Sequence, residues 1–210
     1  MLIIHSTELI IKSILDTHIL KAYTDNKIDL RIYATKMVNF CDFIEENNNG
    51  NSDCKKNKKN QKKQKLDYNL VIYLMHCLSK QQQILEKIGY SFYTFRLKDI
   101  IVIDDKYFFC IGTELIMPIN KNNSLIFYKP PKTDISFCSP ELLAMNSIPF
   151  KISVKTIYYS FGALAIYCLG NPSTYEHTKL YWFIKRCMYE SNESNESNKE
   201  NVNLRQLLFI

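Results

Sequence analysis

Residues 89–104, GYSFYTFRLKDIIVID, lie near the middle of the 210-residue chain and determine how the segments around them are interpreted. A run of helical periodicity, residues 66–88, precedes this stretch. Gly89 fits the end of that helix because glycine readily adopts the left-handed conformation found there. Two short apolar segments, residues 99–104 and 107–111, meet at an Asp-Asp-Lys turn, a pattern that predicts a β-hairpin. The sequence thus predicts a long helix, a loop and a hairpin in direct succession.

Further elements follow from periodicity and composition. Apolar spacing predicts helices at residues 8–15, 66–88, 154–169 and 173–190, and a short apolar turn or helix at residues 203–210. Residues 154–169 are apolar nearly all round, so this helix is expected to be buried on every side. Residues 30–38 have strand-like composition, and residues 113–134, with three prolines, predict a loop. In the helix at residues 173–190, the expected core contacts are Tyr181, Trp182, Ile184 and Cys187.

Composition narrows the class of protein. The chain is 46% hydrophobic, which is enough to bury a core. Its five glycines form neither of the phosphate-binding motifs GxGxxG and GxxxxGK. The seven cysteines lack zinc spacing and mostly lie in apolar runs. They are therefore interpreted as reduced, buried thiols of an intracellular, cytoplasmic protein. No stretch reaches the roughly 18 apolar residues of a membrane span, and no signal-peptide core is expected at the N-terminus.

Two low-complexity segments interrupt the globular sequence. Residues 45–65 form a Lys/Asn-rich insertion, residues 191–201 repeat a Ser-Asn-Glu triplet, and both are expected to be solvated. The net charge of +6 belongs to the first segment, because without its seven lysines 20 basic residues face 21 acidic ones. Nucleic acid is therefore one potential partner, bound through Lys55, Lys56, Lys58, Lys59, Lys62, Lys63 and Lys65.

Three motifs resemble those of the eukaryotic protein kinase family. The family pattern G-I-V-H-R-D-L-K-x-x-N-I-L falls without gaps on residues 89–101. Residues 139–143, SPELL, are similar to the A-P-E motif, and residues 158–164, YYSFGAL, are similar to the D-x-W-S-x-G-x-x helix. The resemblance is firmest over residues 66–170. It extends upstream to Glu8 and the residues after it, which resemble the αC helix.

The resemblance implies an α+β fold, mainly helical, with a protein-kinase-like C-lobe, a short β-hairpin and a remnant of the N-lobe. It places the N-lobe remnant, with an αC-like helix, strands and hinge, at residues 1–44, the insertion at residues 45–65 and the C-lobe at residues 66–210. The glycine-rich loop and the strand lysine that kinases use would lie upstream of Glu8, where seven residues remain. A truncated N-lobe is therefore expected.

The resemblance also locates the catalytic loop, where several positions are altered. The H-R-D triplet falls on Phe92, Tyr93 and Thr94. A threonine hydroxyl cannot act as the catalytic base near neutral pH. The phosphate-contacting lysine corresponds to Arg96, and the metal-binding asparagine corresponds to Asp99, which has the oxygen ligands that Mg²⁺ prefers. Thr94, Arg96 and Asp99 are thus the degenerate catalytic-loop positions.

The nucleotide and metal positions are equally altered. The D-F-G triplet falls on Cys110, Ile111 and Gly112, and a thiol is a poor ligand for magnesium. The resemblance therefore leaves Glu8, Asp99, Cys110 and Gly112 as vestigial candidates for cofactor binding. Asp99 is the remaining candidate for a metal ligand.

Four interpretations remain open. The leading one is a catalytically inactive kinase-like domain, a pseudokinase, that acts as a binding or regulatory scaffold for a protein partner without a cofactor. The second is a divergent Ser/Thr-type kinase that uses ATP and Mg²⁺, with a nucleotide lobe from another chain, Arg96 on phosphate and Asp99 on metal. The third is a nucleic-acid-binding protein that uses the lysine run, and the fourth is a degenerate gene product without a selected role. The sequence favours binding over enzymatic activity.

Overall fold

The computed structural model describes residues 1–49, 65–131 and 137–189 and has an α+β fold in which helix exceeds strand, 44% against 21%. The helices of the described residues are α1 (Glu8–Leu15), α2 (Phe40–Asn49), α3 (Tyr68–Lys87), α4 (Pro140–Leu143), α5 (Thr156–Leu169) and α6 (Lys179–Tyr189). The strands are β1 (Leu2–His5), β2 (Ala22–Tyr23), β3 (Asp29–Ile32), β4 (Met37–Asn39), β5 (Tyr90–Phe92), β6 (Ile100–Ile103), β7 (Tyr107–Cys110), β8 (Ile116–Pro118), β9 (Ser124–Phe127) and β10 (Phe150–Ser153).

The first sheet contains β1, β3 and β2 in that order, with antiparallel pairing throughout. Because side chains alternate along a strand, its inner face is apolar, and Ile4, Leu30 and Ile32 are buried there. The helix predicted at residues 8–15 is confirmed as α1, which buries Ile10 and Ile14 in the same core. Contact between α1 and α3 joins this part of the chain to the helices that follow.

The predicted succession of long helix, loop and hairpin is present. The helix α3 begins after Asp67, whose side chain accepts hydrogen bonds from the N–H groups two and three residues further on. Gly89 follows the helix with a φ of +82°, the left-handed conformation expected there. Strands β6 and β7 form the antiparallel hairpin, with Asp104 and Asp105 at positive φ in its turn. The hairpin packs against α3 through β7.

Two predictions about strands are wrong. Residues 113–134, predicted as a loop, contain β8, which pairs with β5, and β9, which pairs with β10. The strand β8 ends at Pro118, a position at a strand end that tolerates the missing N–H of proline. Residues 30–38, predicted as one strand-like segment, divide between β3 and β4. These two strands belong to different sheets, because β4 pairs with β6 of the hairpin.

The central helix α5 is buried on most sides, whereas its composition predicts burial on every side. Five of its residues are partly exposed: Tyr158, Tyr159, Ala163, Ile166 and Tyr167. Ile157 and Phe161 have no exposed surface, and neither do Leu164 and Cys168 one and two turns later. Helix α6 packs against α5. Gly162 allows this close approach, because a Cβ at that position would lie 3.0 Å from the Met188 side chain.

The core contacts of α6 are only partly those expected. Ile184 and Cys187 are buried as predicted, whereas Tyr181 is partly buried and Trp182 is 56% exposed. The buried positions of this helix share the i, i+3, i+4, i+7 spacing of one face and are Leu180, Phe183, Ile184 and Cys187. The prediction for Trp182 is therefore wrong, because this side chain lies on the opposite face.

The thiols agree with the prediction, whereas the helix predicted at residues 173–190 begins later, at Lys179. None of the six cysteines in the described ranges forms a disulfide; five are buried and Cys41 is partly buried. Across those same ranges no helix has the length and apolarity needed to cross a bilayer.

Several expectations concern residues outside the described ranges. These are the lysine run before Lys65, the repeat at residues 191–201 and the terminal segment at residues 203–210. Lys65 itself is anchored: its N–H donates to the Cys168 carbonyl at the end of α5, and its Nζ lies 3.0 Å from the centre of the Tyr167 ring.

Candidate functional site

The loop after β5 and the turn after β7 enclose a cleft of about 430 Å³. One backbone hydrogen bond joins its two walls, since the Ile111 N–H donates to the Asp99 carbonyl at 2.7 Å. The lining residues are Arg96, Lys98, Asp99, Ile111, Gly112, Thr113 and Glu114. Three of the sequence-predicted site residues, Arg96, Asp99 and Gly112, therefore line one cleft.

Arg96 is buried between two carboxylates, with only 7% of its side chain exposed. Its Nε donates to Asp99 Oδ2, and its Nη1 lies 3.3 Å from Glu114 Oε2. A guanidinium in so dry a place is strongly destabilising unless carboxylates compensate its charge, as they do here. Arg96 is therefore a paired cation inside the fold, whereas arginine is ordinarily exposed.

Gly112 lets the turn after β7 come close to Asp99. A Cβ on Gly112 would lie 3.0 Å from both Cβ and Cγ of Asp99 and 2.9 Å from Cδ1 of Leu115. The φ of Gly112 is −71°, which any residue adopts, so close packing rather than backbone conformation explains the glycine. This packing holds the Asp99 carboxylate against Arg96.

The triplet that resembles H-R-D belongs to the core. Phe92 and Thr94 have no exposed surface, and Tyr93 is 5% exposed. The Phe92 ring lies 5.7 Å from that of Phe95, and Tyr93 packs edge-on against Phe127 of β9 at 5.1 Å. Neither ring can move into the cleft without breaking these contacts.

The Thr94 hydroxyl lies in a buried polar cluster beside α5. Its oxygen is 3.4 Å from Ser160 Oγ, and the Ser160 hydroxyl donates to the Phe137 carbonyl at 2.8 Å. Burial raises the pKa of the Cys138 thiol, and a hydrogen bond with Thr94 opposes that increase. Thr94 thus satisfies buried polar neighbours and is absent from the lining of the cleft.

Cys110 is held inside the fold by Gln81 of α3. Burial raises the pKa of its thiol to about 12, so the thiol stays protonated near neutral pH. Nε2 of Gln81 donates to the Cys110 carbonyl at 2.8 Å, and Oε1 accepts from the Cys110 N–H at 2.9 Å. The same Nε2 lies 3.0 Å from Ser13 Oγ. Gln81 therefore connects α3, β7 and α1.

Gln82 makes a similar connection on the other side of the loop. Its Nε2 donates to Ser91 Oγ at 2.8 Å and to Glu86 Oε1 at 2.7 Å, and its Oε1 accepts from the Phe92 N–H at 3.1 Å. Burial raises the pKa of the Glu86 carboxyl, and the hydrogen bond from Gln82 opposes that increase. The sequence did not predict Gln81 and Gln82 as buried, because glutamine is ordinarily exposed on an amphipathic helix.

Glu8 lies at a different place. Its side chain is 60% exposed and forms an ion pair with Lys27 Nζ at 3.2 Å. It lines a separate depression of about 400 Å³ between α1 and the turn before β3. The structure therefore does not bring Glu8 into the cleft that Arg96 and Asp99 line.

Comparison of the chain with protein-family models and with curated protein sequences finds no match in either set. Over the part of the chain that the structure describes, no three His, Cys, Asp or Glu side chains are grouped so that they could hold a metal ion. The expectation that Asp99 binds Mg²⁺ stays a prediction. What the cleft can do depends on a buried Arg96 and on the carboxylates of Asp99 and Glu114.

Proposed function

We propose that this chain is a protein-kinase-like domain without phosphoryl transfer activity that acts as a binding or regulatory scaffold for a protein partner. The order of its elements supports the proposal. A long helix, α3, leads through a loop into the hairpin of β6 and β7, and α4 and the buried α5 follow. The SPELL segment forms α4, which Ser139 caps by accepting a hydrogen bond from the Leu142 N–H.

Burial of Thr94 is the observation that carries the proposal. At this position a kinase needs an aspartate that accepts the proton of the substrate hydroxyl. A general base must reach that proton and have an accessible basic form. Thr94 has no exposed surface and carries a hydroxyl in place of a carboxylate, so it meets neither requirement.

The charged groups of the cleft also support binding in place of catalysis. A phosphate that approached Arg96 would have to replace Asp99 or Glu114, both of which already neutralise the guanidinium. At the D-F-G position, Cys110 is buried and protonated, and it offers no oxygen to a metal. Among the described residues, Oε2 of Glu141 is buried without a hydrogen-bond partner.

The proposal includes a reducing, cytoplasmic location. It is supported by the six described cysteines, all thiols, since disulfides form and persist in oxidising compartments.

A second candidate function is a divergent Ser/Thr-type protein kinase that uses ATP and Mg²⁺. One observation favours it: Arg96 and Asp99, at the phosphate and metal positions, line the same cleft. For this function Asp99 would have to bind the metal through Oδ1, because its Oδ2 accepts a hydrogen bond from Arg96.

Two measurements on the purified chain test the proposal. Thermal unfolding is followed with and without millimolar Mg-ATP, and transfer of labelled phosphate to a general protein substrate is measured. We expect no rise in Tm and no transfer. A ligand that binds the native state must stabilise it, by about 2.7 kcal/mol at 100 times its Kd.

Asp99→Ala provides the test variant, because it removes both side-chain oxygens from the cleft, and circular dichroism establishes that the variant is folded. Transfer by the native chain that disappears in folded Asp99→Ala would overturn the proposal and support the kinase. A rise in Tm with Mg-ATP but no transfer would keep the scaffold and make nucleotide one of its ligands.

A further inference from the structure

Strand β1 leaves one of its edges open in the described structure. It lies at the end of the sheet order β1-β3-β2 and pairs with β3 alone. The Ser6 N–H donates to the Ile28 carbonyl, which makes this a hydrogen-bonded antiparallel pair. Because such pairs alternate along a ladder, Leu2 and Ile4 also bond to β3, and the N–H and C=O groups of Ile3 and His5 point away from the sheet.

Apart from its short length of four residues, this edge lacks the features by which proteins prevent edge-to-edge pairing. Such edges are usually short, bulged, or protected by lysine or proline. Strand β1 reads Leu-Ile-Ile-His, pairs in regular register over all four residues, and contains neither lysine nor proline. An apolar, regular edge of this kind is a template for another strand.

The outer face of the same sheet carries exposed apolar and aromatic side chains beside its charged residues. Ile3, Tyr23 and Tyr33 are 40%, 37% and 65% exposed, and the two tyrosine rings are 5.8 Å apart. The Tyr23 hydroxyl donates to the Met1 sulfur at 3.3 Å. Tyrosine and methionine are enriched at protein interfaces.

We propose that the open edge of β1 binds β1 of a second copy of this chain, which gives a symmetric dimer with a continuous six-stranded sheet. With a two-fold axis at Ile4, antiparallel pairing places Ile3 of one copy opposite His5 of the other, in both directions. These are the residues whose backbone groups point outward. Because the same surface of both copies forms the interface, the two-fold axis repeats every backbone hydrogen bond between them.

Charges on the outer face fit this register. Within one copy, β3 places Arg31 beside Ile3 and Asp29 beside His5. The row across the two copies then reads Arg31, Ile3, His5, Asp29, and no like charges are directly opposed. Within each copy, Arg31 Nε lies 2.6 Å from Asp25 Oδ2, and Asp29 Oδ1 lies 2.5 Å from His5 Nδ1. This pairing depends on the sheet alone and is independent of the function proposed at the cleft.

The oligomeric state of the 210-residue chain, with no residues added before Met1, tests the proposal. Sedimentation equilibrium over a dilution series is expected to show a monomer–dimer equilibrium. Ile3→Pro removes the outward N–H and leaves the bonds from Leu2 and Ile4 to β3 in place, so it is expected to give a folded monomer. Ile3→Lys keeps the N–H but adds an edge charge and is expected to weaken the dimer at least tenfold.

Tyr73→Lys is the matched control, because Tyr73 is an exposed aromatic residue on α3, 45% exposed, and the variant should dimerise like the native chain. Circular dichroism and urea unfolding establish that each variant is folded. Slower hydrogen exchange at the Ile3 and His5 amides with rising concentration would support the pairing. A native chain that stays monomeric, or a dimer that persists in both Ile3 variants, would overturn it.

Discussion

By the resemblance to kinases, Thr94 falls on the position of the catalytic aspartate, and its buried surroundings disfavour a carboxylate there. Thr94→Asp is expected to reduce the free energy of unfolding by about 3–5 kcal/mol and not to restore phosphoryl transfer, because an uncompensated charge would be buried. Asparagine has nearly the same shape as aspartate but no charge, so Thr94→Asn is expected to reduce the free energy of unfolding by about 1–3 kcal/mol. Urea unfolding at neutral pH measures both values.

The pH dependence of stability separates the effect of the charge at position 94 from the effect of the side-chain shape. Burial raises the pKa of the introduced carboxyl above its value in the unfolded chain. The folded state then favours the protonated form. Thr94→Asp therefore has a lower free energy of unfolding than Thr94→Asn, and this difference is largest above the folded-state pKa. It decreases as the pH falls below that pKa. Equal stability of the two variants at neutral pH, or a difference that does not change on acidification, would contradict this account.

Some of the cleft could be predicted from single residues. Arg96 and Asp99 are three positions apart and Gly112 follows the hairpin, so the predicted loop and hairpin were enough to bring the three together. The contact between Arg96 and Glu114 could not be predicted, because it joins residues 18 positions apart and depends on the path of the chain after β7. The burial of Arg96 was missed for the same reason.

At the scale of elements, the helix α3 organises the site through Gln81. Gln81→Leu is expected to cost about 2–4 kcal/mol of unfolding free energy, because the N–H and C=O of Cys110 would be left buried without their partner. Gln83, two residues further along the same helix, is partly exposed, and Gln83→Leu is expected to change stability by less than about 0.5 kcal/mol. Urea unfolding of the two variants gives the comparison.

The Gln81 and Gln83 substitutions are chemically identical, so a difference between them reports the environment. A loss in Gln81→Leu no larger than in Gln83→Leu would mean that the connection among α3, β7 and α1 contributes nothing. The sequence contained one signal for it. Position 81 falls three residues after Leu78 and four before Leu85, on the buried face of α3. A polar side chain on that face needs a hydrogen-bond partner.

Helices were predicted better than strands, and the reason is physical. The period of a helix is local, so residues 8–15 and 154–169 could be identified from their own apolar spacing. The strands β8 and β9 depend on partners elsewhere in the chain, β5 and β10, which no local pattern reveals. Prolines at positions 118, 130 and 131 strengthened the incorrect prediction of a loop.

At the scale of the whole molecule, the four small sheets found among the described residues share one core with the helices. That core includes side chains from α1, α3 and α5 and from the inner faces of the sheets. The thiols of Cys77, Cys110 and Cys168 are part of it, and burial raises their pKa to about 11, 12 and 12 respectively. At pH 8, a thiol of pKa about 12 is ionised in roughly one molecule in ten thousand.

Alkylation of the cysteines therefore measures how often the core opens. In a Cys54→Ser variant at pH 8, iodoacetamide is expected to modify Cys41 first, since it is only partly buried, and to leave Cys77, Cys110 and Cys168 unmodified. The thiolate is the reactive species, so these three can react only when unfolding exposes them and restores the ordinary pKa. Mass spectrometry with and without urea gives the rates. Rapid modification of Cys110 alone in the native protein would show that the hairpin β6–β7 separates from α3 while the rest of the core stays closed.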